Sequence, residues 1–157
     1  MSEHPVIAIL DALTVRLSRG PVVSEPVIAM LGEVLPFPGS GVRVTPRDAC
    51  FRRVDVFADR DSGFVSGVCL ALAEQTQLQL SELMDHFGTA TVMSSVSMLE
   101  DGRYALIFLP DQGLSLVAGN RDFFDMEESS LIGEVTVRVD EPPLGFQKTS
   151  WPQSPVP

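Results

Sequence analysis

The chain has 157 residues, with 21 acidic side chains against 11 basic ones and a formal net charge of −10 at pH 7. An acidic surface repels phosphate backbones, so nucleic acid is excluded as a general partner and a basic protein surface is favoured. A hydrophobic fraction of 45% with 20% charged residues excludes wholesale disorder, and a domain of this length buries roughly 68–70% of its unfolded surface with no covalent staple.

The first apolar stretch, Pro5 to Val15, is interrupted by Asp11 and falls short of the about 20 residues that a spanning helix needs. Glu3 stands where a signal peptide carries positive charge, which predicts a cytoplasmic protein that does not enter a membrane. Val6, Leu10, Leu13 and Leu17 form one helical stripe over Pro5 to Leu17, and Gly20-Pro21 stops it. Ser24-Glu25-Pro26 opens a second helix with a capping serine and an early proline. Val27, Ile28, Leu31 and Leu35 give its apolar face, and Pro36-Phe37-Pro38-Gly39 ends it.

From Cys50 the hydrophobic period changes to two. Val54, Val56 and Ala58 alternate with Arg53, Asp55 and Phe57 in a half-buried strand, whose alternation sends Arg52 and Arg53 to opposite faces. Asp61-Ser62-Gly63 turns the chain into a return strand over Phe64 to Ala73. A short helix follows. Gln79 is its N-cap, Glu82 its third residue, Leu78 and Leu83 its hydrophobic staple, and Gly88 its terminator.

Val92 to Glu100, Asp101-Gly102 and Arg103 to Leu109 read as a hairpin. The run Tyr104 to Leu109 is apolar throughout, which predicts a central strand covered on both faces. Pro110-Asp111-Gln112-Gly113 turns into Leu114 to Ala118, and Glu134 to Val139 alternates as the last strand. The expected fold is α+β: one antiparallel sheet of about six strands, an N-terminal helix–loop–helix and one short inserted helix. The domain is expected over residues 1–140, with a flexible tail over 141–157 that holds five prolines and Trp151. Val27 to Gly32 and Leu83 to Gly88 echo one another, each near a Ser-Glu pair and ahead of strands, as two copies of a helix-plus-hairpin unit would.

Leu78 to Gly88, then Tyr104 to Leu109, a Pro-x-x-Gly turn and Leu114 to Val117, together about a quarter of the chain, resemble small bacterial modules of the β-lactamase-inhibitor-protein and small outer-membrane lipoprotein type. Thr89-Ala90 stands where that family has a proline after the glycine. The resemblance implies recognition of another protein by an exposed sheet face and brings no catalytic residue with it.

Chemistry-bearing residues are sparse. His4 and His86 are the two histidines, and a Glu82–His86 pair supplies two metal ligands where a stable site takes three or four. Asp59-x-Asp61-x-Gly63 places glycine at the fifth position and Leu70 at the twelfth, against the calcium-loop pattern, so it reads as a turn. Gly39-Ser40-Gly41 and Gly63 to Gly67 lack the lysine of a phosphate loop. Cys50 and Cys69 read as small buried thiols. No catalytic residue, metal or cofactor is assigned. The segment Asp122, Phe123, Phe124, Asp125, Glu127 and Glu128 interleaves acids with aromatics, as a docking surface for a basic partner would. The sequence therefore reads as a non-enzymatic protein-binding module of the inhibitor, immunity or accessory-subunit kind, acting through a sheet face or this segment. An acidic secretion-chaperone-like protein and a small enzyme with a dispersed site, around His86 and Cys50, are the alternatives.

Overall fold

Proline at the first helical position and the stripe from Val6 to Leu17 set the first helix, α1, over Pro5–Ser18. The computed structural model describes residues 4–35, 41–59, 61–92, 104–122 and 126–139. His4 caps α1 by accepting the Val6 N–H on Nδ1 at 3.1 Å, and its Nε2 lies 2.8 Å from the Gln77 carbonyl oxygen. No helix among the described residues is long and apolar enough to cross a membrane.

The second helix, α2, covers Ser24–Leu31 and gives way without a loop to strand β1, Gly32–Leu35. Leu35 therefore lies on a strand, not on the helix as expected. Gly32 permits the switch. A Cβ at that position would lie 1.8 Å from the Thr45 carbonyl oxygen, so a residue without one is needed where the chains approach. The Arg47 N–H donates to the Leu31 carbonyl at 2.9 Å and satisfies the helix end.

Strands β2 (Gly41–Pro46), β3 (Phe51–Ala58) and β4 (Val65–Leu72) follow, then helix α3 (Leu80–Phe87), then β5 (Thr91–Val92), β6 (Tyr104–Leu109), β7 (Leu114–Asn120) and β8 (Ile132–Val139). All pair antiparallel in a single sheet of order β1-β2-β3-β4-β8-β7-β6-β5. The class is α+β as expected, with eight strands in place of about six. The additional pair is β1 and β2. β6 is not central but one strand from the edge, although Leu106 and Ile107, which point to opposite faces, are both fully buried. A register shift between Phe51 and Arg53 interrupts the alternation expected for Arg52 and Arg53, because a bulge sets two residues of β3 against one of β4.

The sheet order reads the same from either edge once β1–β4 and β5–β8 are exchanged. Each half is an eight-residue helix ending at a glycine, Gly32 or Gly88, followed by four strands. The registers agree as well: Val44 pairs with Val54 and Val54 with Leu70 in one half, as Ile107 pairs with Leu116 and Leu116 with Val137 in the other. The halves join at β4 and β8, where Cys69 faces Thr136. Val27–Gly32 and Leu83–Gly88, which echo one another in sequence, both fall at the end of the helix that opens each half.

All three helices lie on one face: α2 against β1, β2 and β3, α1 against β7 and β8, and α3 against β6. Val54, Val56, Val68, Leu70, Val135, Val137, Leu114 and Leu116 meet Val6, Leu10, Leu13, Val27 and Leu83 in one continuous core. Gln79 and Glu82 form the predicted capping box, with Glu82 Oε2 accepting the Gln79 N–H at 3.0 Å. Arg121 braces the link between the halves by donating to the carbonyl oxygens of Ala73, Glu74 and Thr76.

Candidate binding face

Strand alternation sends the remaining side chains to the face opposite the helices, and the pairing registers arrange them in rows. One row runs Arg43, Asp55, Cys69, Thr136, Val117, Leu106 across β2, β3, β4, β8, β7 and β6. On one side of it runs Phe57, Gly67, Arg138, Ser115, Phe108, and on the other Arg53, Ala71, Glu134, Gly119, Tyr104. Equivalent positions of the two halves differ in chemistry. Arg43 and Asp55 in the first correspond to Leu106 and Val117 in the second, so the face is charged at one side and apolar at the other.

The charged side is a connected network. Asp55, only 8% exposed, accepts from Arg43 Nε at 2.8 Å and lies 3.2 Å from Arg53 Nε. Arg53 reaches on to Glu134 at 3.7 Å, and the Cys69 Sγ lies 3.9 Å from that carboxylate. The Arg53–Asp55 contact is close but poorly aligned, which leaves Arg53 Nε buried with no well-formed hydrogen bond. Asp55 raises the pKa of Arg43 by accepting its hydrogen bond.

On the apolar side the Tyr104 ring lies over Gly119, where an added Cβ would meet its Cε1 at 3.1 Å. Leu106 and Ser115 are fully buried, whereas Phe108 is 37% and Phe57 39% exposed. Those two phenylalanines are four strands apart, roughly 19 Å at the usual spacing. On this face Arg43, Arg53 and Arg138 are matched by Asp55, Glu134 and Glu33, which pairs with Thr45 two residues along β2 from Arg43.

The segment proposed from sequence divides. Phe123, Phe124 and Asp125 lie outside the described residues. Asp122, Glu127 and Glu128 are exposed, and the backbone beside them supports the fold. Met126 is buried in the core, and the carbonyls of Glu128 and Ser130 accept the N–H groups of Ser81 and Leu80 at the start of α3.

His86 sits at the end of α3 with Nε2 at 2.8 and 2.9 Å from the two carboxylate oxygens of Asp11, tying α3 to α1. Sequence reasoning could not find this pair, because 75 residues separate its members. Cys50, in the turn before β3, packs against the core, and burial with the neighbouring Asp48 pushes its thiol up to about 12. Burial raises the Cys69 thiol too. Neither is a thiolate near neutral pH, so neither is poised as a nucleophile. Both are free. Asp59, Ser62 and Gly63 form the predicted turn, with Asp59 Oδ2 accepting the Ser62 N–H at 2.8 Å and Gly63 at φ 78°. Among the described residues no three His, Cys, Asp or Glu side chains gather as a metal site.

The chain matches no protein-family model, no curated protein and no solved structure.

Proposed function

We propose that the protein is a binding module that docks a partner protein on the sheet face opposite its helices. The observation that carries this reading is the composition of that face: Phe57 stands exposed beside a fixed Arg43–Asp55–Arg53–Glu134 network, and Phe108 stands exposed on the other half-sheet. Interfaces draw affinity from a few aromatic and arginine anchors surrounded by ordered polar groups. The network is already paired, so a partner meets oriented donors and acceptors and orders fewer side chains on binding. Phe108, exposed on the other half-sheet, gives such a partner an apolar contact of its own.

The sheet face is a better candidate than the Asp122–Glu128 segment, because Met126, Glu128 and Ser130 are committed to the core and to the cap of α3. Charge acts at two ranges. The net charge of −10 steers a basic partner from a distance, while the arginines of the face receive acidic or carbonyl groups at contact. The test is affinity capture from the source cells with two baits, the natural chain and a Phe57→Asp/Phe108→Asp variant. A stoichiometric protein held by the first and lost by the second supports the reading. A protein held equally by both, and lost instead on substitution of Asp122, Glu127 and Glu128, moves the site to the segment.

A further inference from the structure

On the helix layer, facing away from the sheet, α1 presents Ala8, Ala12, Val15 and Arg19 in one row. All four are exposed, Val15 to 45%. The row is one wall of an open groove of about 640 Å³, closed on the other side by Pro21, Val22 and Met30. Three charges accompany it. Asp11 is held in place by His86, whereas Arg16 and Arg19 have no ion-pair partner among the described residues.

We propose that this groove takes α1 of a second copy, antiparallel, with Val15 packed on Val15 at a two-fold axis. Asp11 and Arg19 lie one turn to either side of Val15, so the axis brings Asp11 of each copy opposite Arg19 of the other. The contact is isologous: the same residues serve both sides and each ion pair forms twice. Ala8 and Ala12 carry no bulk beyond Cβ, which lets the helices close to the roughly 8 Å of tightly packed pairs. Charge selects the occupant. The groove holds two arginines and one aspartate in a chain of net charge −10, so two copies meet here with less repulsion than their overall charge imposes. The surface lies on the far side of the molecule from the proposed partner face, so a dimer leaves that face free.

Sedimentation velocity on the full-length chain tests this from about 1 to about 100 μM, the range in which a weak dimer assembles. The expected species has twice the 17.0 kDa chain mass. Val15→Glu and Arg19→Glu leave the Asp11–His86 pair in place, and each is expected to weaken association about ten-fold or more. Asp11→Lys is expected to do the same. An equimolar mixture of Asp11→Lys with Arg19→Glu recovers the dimer, because each chain then supplies the charge that the other lacks. Circular dichroism confirms that each variant keeps its fold. Single-chain mass for the natural protein over the whole range overturns the proposal. So does a dimer untouched by Val15→Glu, or a mixture that stays at single-chain mass.

Discussion

Replacing Gly32 by alanine tests the account of how a helix runs directly into an edge strand. The added Cβ would sit 1.8 Å from the Thr45 carbonyl oxygen and 3.0 Å from Val44 Cγ1. Thr45 pairs with Glu33 in the β1–β2 ladder, so the obstacle is backbone and cannot rotate aside. Overpacking of this kind costs about 1–3 kcal/mol, and a rigid neighbour puts the cost at the upper end, about 3 kcal/mol. At about 2–4 °C per kcal/mol for a chain of this size, Tm falls by roughly 6–12 °C. The φ of 162° at Gly32 is extended backbone, so the loss comes from the clash and not from the dihedral. Thermal unfolding followed by circular dichroism measures it. Gly67→Ala is the control, since its Cβ meets only the Val137 carbonyl oxygen, at 3.3 Å, and the shift should be much smaller. A Gly32→Ala protein with Tm within about 2 °C of the natural chain would show that the β1–β2 junction is not packed as described.

Three further outcomes are expected. Cys50, its thiol pushed up to about 12 by burial and Asp48, should resist alkylation at pH 8 in the folded chain and react once the chain is unfolded; rapid labelling of the native protein contradicts this. Because that pKa is raised above the ordinary thiol value of 9.0, the unfolded thiol ionises first, so Cys50 contributes stability that is complete below pH 9 and declines as pH rises towards 12; Cys50→Ala should flatten this alkaline limb in urea titrations. Asp48 and Asp59 are depressed below 3.8, each by accepting backbone N–H groups, from Cys50 and Ser62 respectively. Their contribution is present above pH 3.8 and lost as pH falls through their folded values, so Asp48→Asn with Asp59→Asn should make stability less sensitive to acid.

Local signals carried much of the fold. The α1 stripe, the Gln79–Glu82 capping box, the Asp59–Gly63 turn and the β7 and β8 strands all depend on neighbours a few residues apart. Leu35 continues the helical spacing of Val27, Ile28 and Leu31, which hides the end of the helix at Gly32 and with it the first strand. The alternation Val42-Arg43-Val44-Thr45 in β2 is a strand signal of the ordinary period. The apolar run in β6 reads as central because burial on two faces has the same composition wherever in the sheet it occurs. Of the candidate face, only the strand alternation that exposes it was legible. The Arg43–Asp55–Arg53–Glu134 network is assembled by strand register across three different strands, and the bulge at Phe51–Arg53 that shifts this register has no distinctive residue pattern. Asp11 and His86 meet only because α1 of the N-terminal segment crosses to the second half-sheet.

The most direct test of the central claim is the affinity of a captured partner for single-site variants of the sheet face, measured by titration calorimetry with purified components. Phe57→Ala and Phe108→Ala should each weaken binding by about ten-fold or more, the loss typical of an aromatic anchor, while alanines at Asp122, Glu127 and Glu128 leave it within about two-fold, the scale of near-neutral contacts. Unchanged affinity in both phenylalanine variants would contradict the account.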